Sequence, residues 1–354
     1  MQFTKRFLSV LVSAGMIAAI LAGCGSGVSP SSAAETNAGS QAGESGKLVL
    51  YASITADILE SFIPYYEEHT GVTVELVEAG TGELIKRIES EGDTPLGDVL
   101  IGGTADGNYV PKRELFESYL SPNEEFMFPE YKNRTGHVTS TELVTSVLMV
   151  NTDKIAGIRM EGYADLLNPE LKGRIAHSDP TKASSAFEHM MNQLYAMGNG
   201  DPDQGWDYMR QFVQALDGKI LSTSGAVFRG VADGEYPVGL SYEAIAYSYK
   251  QNGAPVDIVY MKEGVISQPG GVAIIKNAPN LENAKKFVDL FTSKEYQTIM
   301  TQAPLYRRSS RSDVPSPEGL VPFEKITLLQ DDPDYVNDNK QAVLDKFKDL
   351  LVNS

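Results

Sequence analysis

The sequence predicts an α/β protein made of two βαβ-rich lobes. Three observations carry this: strand and helix patterns alternate through the first third of the chain, the alternation resumes after residue 150, and small polar clusters close the strands in both halves. Such alternation is the signature of parallel strands joined by helices. Ligands of these sheets lie at the carboxyl ends of the strands, so the polar clusters mark where a site belongs.

Taken in order, Lys47-Leu48-Val49-Leu50-Tyr51-Ala52-Ser53 reads as a buried strand with a small polar end. Residues 54–68 place Ile58, Leu59, Phe62, Ile63 and Tyr66 at helical spacing, and Gly71 stops them. A strand over 72–77, a helix over 81–92 and a strand over 97–101 complete the first unit, which runs into Gly102-Gly103-Thr104. Composition shifts toward Pro, Glu and Phe over 121–131, and 144–150 is a strongly apolar strand. The second unit offers helices over 187–197 and 206–216 and a short strand over 219–221 ending in Ser222-Thr223-Ser224-Gly225. A helix from 226 and a strand over 236–241 ending in Tyr242-Glu243 follow. The chain then returns through a strand over 271–275, two helices over 281–291 and 294–302, and an Arg-containing loop over 303–313. It ends on an amphipathic helix over 341–351.

Before this body lies a leader. Lys5 and Arg6 precede the apolar run 7–21, and Leu21-Ala22-Gly23-Cys24 follows with small residues before the cysteine. This resembles the lipobox of bacterial lipoproteins, which implies cleavage after residue 23 and a lipid on Cys24. The Gly/Ser/Ala-rich stretch 24–46 has the composition of a flexible tether. Cys24 is the only cysteine, so the body has no disulfide and no thiol nucleophile. A net charge of −17 argues against nucleic acid as a partner, because counterion release needs a basic face. It leaves room for a small anion, which a helix N-terminus can hold without basic side chains.

The stretch with that capacity is Ile175-Ala176-His177-Ser178-Asp179-Pro180-Thr181-Lys182-Ala183-Ser184-Ser185-Ala186-Phe187. A strand, a Pro turn and hydroxyl residues run into a helical pattern, and the first N–H groups of a helix lack intrahelical acceptors. Two readings stand side by side: Ser184 caps its own helix, or the helix start grips an anion.

The order of the lipobox, Val49-Leu50-Tyr51-Ala52-Ser53, Gly97-Asp98-Val99, Val150-Asn151-Thr152, Asp179-Pro180-Thr181 with Ser184-Ser185, Asp233-Gly234-Glu235-Tyr236-Pro237-Val238-Gly239 and Ala284-Lys285-Lys286-Phe287-Val288 resembles bacterial ABC-transporter solute-binding proteins. The branch is that of ferric-ion, thiamine, 2-aminoethylphosphonate, phosphoglycerate and hexose-phosphate binders. The resemblance implies two Rossmann-like α/β lobes with a ligand cleft between them, the type II periplasmic-binding-protein fold. Lobe 1 would be 47–140 plus 268–312, and lobe 2 would be 141–267 plus 313–354. It also implies a lipid-anchored, extracytoplasmic, monomeric protein that serves a membrane permease, with no cofactor and no enzymatic activity.

Ferric-binding members use adjacent tyrosines at the second-lobe strand end, with a His and a carboxylate from the first lobe. Here that loop reads Ser241-Tyr242-Glu243-Ala244-Ile245, while Thr55 stands at the His position and Gly103 at that of the carboxylate. The anion side is kept: the resemblance assigns ligand contacts to Ser184, Ser185 and Ala186, with Thr104 and Ser224 from neighbouring loops. The expected site is therefore Ser53, Thr55, Thr104, Asp179, Thr181, Ser184, Ser185, Ala186, Thr223, Ser224, Tyr242 and Glu243, around a phosphorylated or phosphonylated organic solute. Glu243 is either the reader of its organic end or a surface residue at a helix start. Ferric iron with a synergistic anion, thiamine or its phosphates, and phosphoester hydrolysis are the alternatives. His177 is expected near the cleft, His69 and His189 on helix surfaces, Trp206 in the core, and Arg311 as a cation behind the ligand.

Overall fold

A computed structural model describes residues 46–353. The expected leader 1–23, Cys24 and all of the expected tether but Gly46 lie outside the described residues. The first unit is β1 (Lys47–Ser53), α1 (Ala56–Thr70), β2 (Thr73–Glu78), α2 (Thr81–Glu91) and β3 (Val99–Thr104). The long strand β4 (Thr139–Asn151) leads to β5 (Ile175–Ala176), α3 (Ser184–Met197), α4 (Trp206–Leu216), α5 (Ser224–Ala232), β6 (Val238–Tyr242), α6 (Glu243–Gln251) and β7 (Val256–Val259). The return is made by β8 (Val265–Ile274), α7 (Leu281–Phe291), α8 (Lys294–Met300), β9 (Arg308–Ser309), β10 (Leu328–Leu329) and α9 (Pro333–Val352).

The strands run in the order β2-β1-β3-β8-β4-β6-β5. β1 pairs in parallel with β2 and β3, and β5 with β6, as the alternating pattern predicts. β4 and β8 pair with each other in antiparallel and bind both halves. From Thr139 to Thr145, β4 faces β8; from Ser146 to Val150, it faces β6. Likewise β8 gives its second half to β3. Two α/β lobes therefore share a pair of crossing strands.

β4 is longer than the apolar run 144–150 predicts because its first residues, Thr139, Ser140, Thr141 and Glu142, are polar yet buried between β8 and β9. Ladder hydrogen bonds, not hydrophobicity, hold them in place. A bulge falls between Ser140 and Leu143, opposite Pro269, whose missing N–H could not serve a regular ladder. The strand expected over 219–221 is reduced to a single bridge between Leu221 and Ser178.

Each lobe has its own core. In one, Phe62 of α1 meets Phe287 and Phe291 edge-on at 4.9 and 4.8 Å. In the other, α3 and α4 bury Met190, Leu194, Met209 and Phe212 against Leu148, Val238 and Phe347. Trp206 belongs to this second core, as expected, under the ammonium of Lys346. His189, expected on a helix surface, is 3% exposed, because α3 is covered on nearly all sides.

A buried ion pair ties α6 to the segment after α8. Arg308 Nη2 and Nε donate to the two carboxylate oxygens of Glu243 at 2.6 and 3.0 Å, and Tyr260 donates a third bond at 2.6 Å. Both side chains are almost fully covered. Glu243→Ala would leave the guanidinium uncompensated and should lower unfolding stability by about 3–5 kcal/mol in urea titrations. Glu243→Leu with Arg308→Met should recover most of that loss, since a packed apolar pair replaces the charges without a stranded partner.

Candidate functional site

A cavity of about 280 Å³ opens where the ends of β1, β3 and β6 meet the crossing strand β4. Three helices begin on its wall: α1 after Thr55, α3 at Ser184, and α6 after Tyr242. β1 and β6 pass almost directly into α1 and α6, whereas α3 follows β5 across the loop 177–183; all three lie at the strand ends where ligands of such sheets bind. All three helix starts present the positive end of a macrodipole to one space.

The start of α3 settles what Ser184 does. The N-cap is Ala183, which has no side chain able to cap, so Ser184 is the first helical residue and not the cap. The N–H groups of Ser184 and Ser185 find no acceptor among the described residues. The Ser185 hydroxyl is hydrogen-bonded to that of Ser224, the first residue of α5, so a second helix start stands directly behind the first.

Of the expected residues, Ser53, Thr55, Thr104, Ser184, Ser185 and Tyr242 line the cavity together. The others do not. Ala186 is wholly buried in α3. Asp179 takes bonds from the Thr181 N–H at 2.9 Å and its hydroxyl at 2.8 Å, and pairs with Lys182 at 3.1 Å, so both Asp179 and Thr181 serve the loop itself. Thr223 caps α5 by accepting from the Ala226 N–H at 3.2 Å. Ser224 acts through Ser185. Glu243 is not a surface residue: it is buried, and Arg308 takes up its carboxylate.

Arg311 also points elsewhere: it is 2% exposed and is held by Asp313, Asn123 and the Thr292 carbonyl. The cation that lines the cavity is Arg307, from the same loop. Its Nη2 donates to Thr55 Oγ1 at 3.1 Å and to Asp57 Oδ2 at 3.1 Å, which anchors it at the start of α1. Two carboxylates unforeseen from sequence join the wall, Glu142 of β4 and Glu188 of α3. Glu188 receives the Tyr242 hydroxyl; desolvation raises its pKa above the usual carboxylate range, and the Tyr242 bond works against that rise. Burial first, and then the charge of Glu188, push the Tyr242 phenol well above its ordinary range.

Tyr242 is the single tyrosine on this wall. Among the described residues no cluster of three or more His, Cys, Asp or Glu side chains is arranged to hold a metal. His177 is 1% exposed and sits in the lobe core against Phe212 and Phe347, away from the cleft.

Two lobes joined by paired crossing strands, with helix starts facing a cavity between them, define a solute-binding protein. The chain belongs to the bacterial extracellular solute-binding protein family, whose model matches residues 48–303. In that role it is the substrate-binding component of an ABC importer, which hands a small solute to a membrane permease. It is 26% identical to the iron uptake protein A1 of Synechocystis sp., over 73% of this chain and 75% of the relative. It is 23% identical to a periplasmic protein of Salmonella typhimurium named for 2-aminoethylphosphonate binding, over 72% and 74% of the two chains. Among solved structures, the periplasmic binding protein AfuA of Actinobacillus pleuropneumoniae with fructose 6-phosphate bound superposes with a TM-score of 0.73 at 25% identity. That match covers 87% of this chain and 99% of AfuA. No helix among the described residues is long and apolar enough to cross a membrane.

His177 gives the lobe behind α3 an acid-sensitive core. Burial pushes its pKa down to about 4, against the small opposing effect of Asp179. A histidine held neutral in this way contributes stability that is complete above its unfolded pKa of about 6.5 and is lost as pH falls toward 4. Between pH 7 and pH 4.5 the wild type should lose about 2–3 kcal/mol more unfolding stability than His177→Phe, measured by urea titration at both pH values.

Proposed function

We propose that the solute is a small phosphorylated or phosphonylated organic compound, with its phosphoryl group at the start of α3. The observation that carries this reading is the convergence of three helix starts on one cavity, with the Ser184 and Ser185 N–H groups lacking acceptors among the described residues. Oriented N–H groups and helix dipoles suit a multiply charged anion, and Arg307 on the same wall adds a charge-assisted donor. The 2-aminoethylphosphonate-named relative and the sugar-phosphate complex of AfuA support the same class of ligand. We take Cys24 as the lipid attachment point and the protein as a monomer without enzymatic activity or cofactor. The lobes would be 47–140 with 268–312, and 141–267 with 313–354; the partner changes of β4 at Thr145 and Ser146 support a division near those strands. Closure of the lobes over the solute would create the form that the permease recognises.

Ferric iron is the competing cargo, favoured by the iron-uptake relative. It is the weaker reading, because one tyrosine and two carboxylates stand where hard-metal chemistry wants several anionic oxygens in a closed set. Thermal melting separates the two. With 2-aminoethylphosphonate or fructose 6-phosphate at a hundredfold excess over Kd, linkage predicts about 2.7 kcal/mol of added stability, and ferric citrate and thiamine should add none. Ser185→Ala should weaken phosphoryl binding about tenfold, and Arg307→Gln about tenfold to a hundredfold. Stabilisation by ferric citrate alone, unaffected by Ser185→Ala, would overturn this reading.

A further inference from the structure

Of the two carboxylates on the cavity wall, Glu188 is taken up by Tyr242, whereas Glu142 is engaged by no side chain among the described residues. It lies on β4 beside the bulge between Ser140 and Leu143, a distortion of the kind that re-aims a side chain out of its ladder. Its backbone is locked to Ser309 of β9, and the residue as a whole is only 9% exposed. The carboxylate lines the cavity, yet no hydrogen bond or ion pair to it exists among the described residues. Room for it is made by Gly270 across the ladder. A Cβ at that glycine would lie 3.1 Å from the Glu142 Cδ and 3.2 Å from Oε2.

The Glu142 oxygens are open to the cavity, so an unpaired carboxylate faces whatever fills that space. Among the described residues no strong donor of the wall bonds to it. Arg307 is held by Asp57 and Thr55, and the Tyr242 hydroxyl by Glu188. A bound solute can supply the donor. A bare phosphate would put two more negative charges beside this carboxylate and would be repelled, whereas a solute with an N–H or O–H donor next to its phosphoryl group would meet it.

We propose that the solute carries an ammonium or hydroxyl donor besides its phosphoryl group, and that Glu142 is the residue that selects for it. This rests on the phosphoryl reading above. The ligand class narrows to aminoalkylphosphonates, where the donor is an ammonium, or phosphorylated polyols and sugars, where it is a hydroxyl. Both meet the carboxylate through the same charge-assisted hydrogen bond.

Isothermal titration calorimetry on the purified protein tests this with 2-aminoethylphosphonate, fructose 6-phosphate, ethylphosphonate, inorganic phosphate and putrescine. The expected result is that 2-aminoethylphosphonate or fructose 6-phosphate binds at least about tenfold more tightly than ethylphosphonate and inorganic phosphate. Which of the two it is identifies the donor. In Glu142→Gln and Glu142→Leu that preference should collapse, and the ligand-free melting temperature of Glu142→Gln should equal or exceed that of the wild type, which shows that the fold is intact. If the variants rank the four phosphoryl compounds as the wild type does, the selector role is overturned while the phosphoryl reading stands. If putrescine alone binds, and Glu142→Gln abolishes it, Glu142 keeps its role as donor reader and the phosphoryl reading falls. If no compound in the panel binds, both are overturned.

Discussion

The pairing of β4 with β8 is the constraint on which the rest of the structure depends. Each strand is shared, so the carboxyl ends of β1, β3 and β6 are brought to one side of a common ladder. The helices that start after β1 and β6, together with α3, then open on the same cavity. None of these helix starts is a site by itself. Their convergence is a consequence of where the two crossing strands place the lobes, and a hinge through the same strands would let the lobes close without disturbing either core.

That architecture explains how a protein of net charge −17 could hold an anion. Attraction at the cavity comes from backbone dipoles that act only within a turn of the helix end, not from a basic surface acting over tens of ångströms. Arg307 contributes the one cationic side chain on the wall, partly neutralised by Asp57 at 3.1 Å. Two carboxylates on the same wall keep it from being a general anion trap. A site of this kind discriminates by requiring the whole solute, phosphoryl group and donor together, and it keeps the local charge low enough for the solute to leave when the lobes part.

The α/β class, the parallel pairing in each lobe and the wall residues Ser53, Thr104, Ser184, Ser185 and Tyr242 were legible in the sequence, because strand ends and helix starts carry local signatures; Thr55 was reached only through the family resemblance. The remaining wall residues were not, for reasons that are tertiary. Glu142 sits in a Thr-Ser-Thr-Glu run whose polarity hides a buried strand. Arg307 and Arg311 share one loop, and only the packing of that loop decides that Arg307 reaches α1 while Arg311 turns to Asp313. Glu243 looked like a cleft residue because it follows a strand end directly; its partner Arg308 is 65 residues away in sequence. His189 was misread because α3 is buried nearly all round, which no amphipathic pattern signals.

The account is tested most directly by a crystal structure of the protein grown with 2-aminoethylphosphonate. It predicts the phosphorus atom against the Ser184 and Ser185 N–H groups, within reach of Arg307, and the amine directed toward Glu142. A phosphonate bound with its amine at the start of α3, or bound outside this cavity altogether, would contradict it.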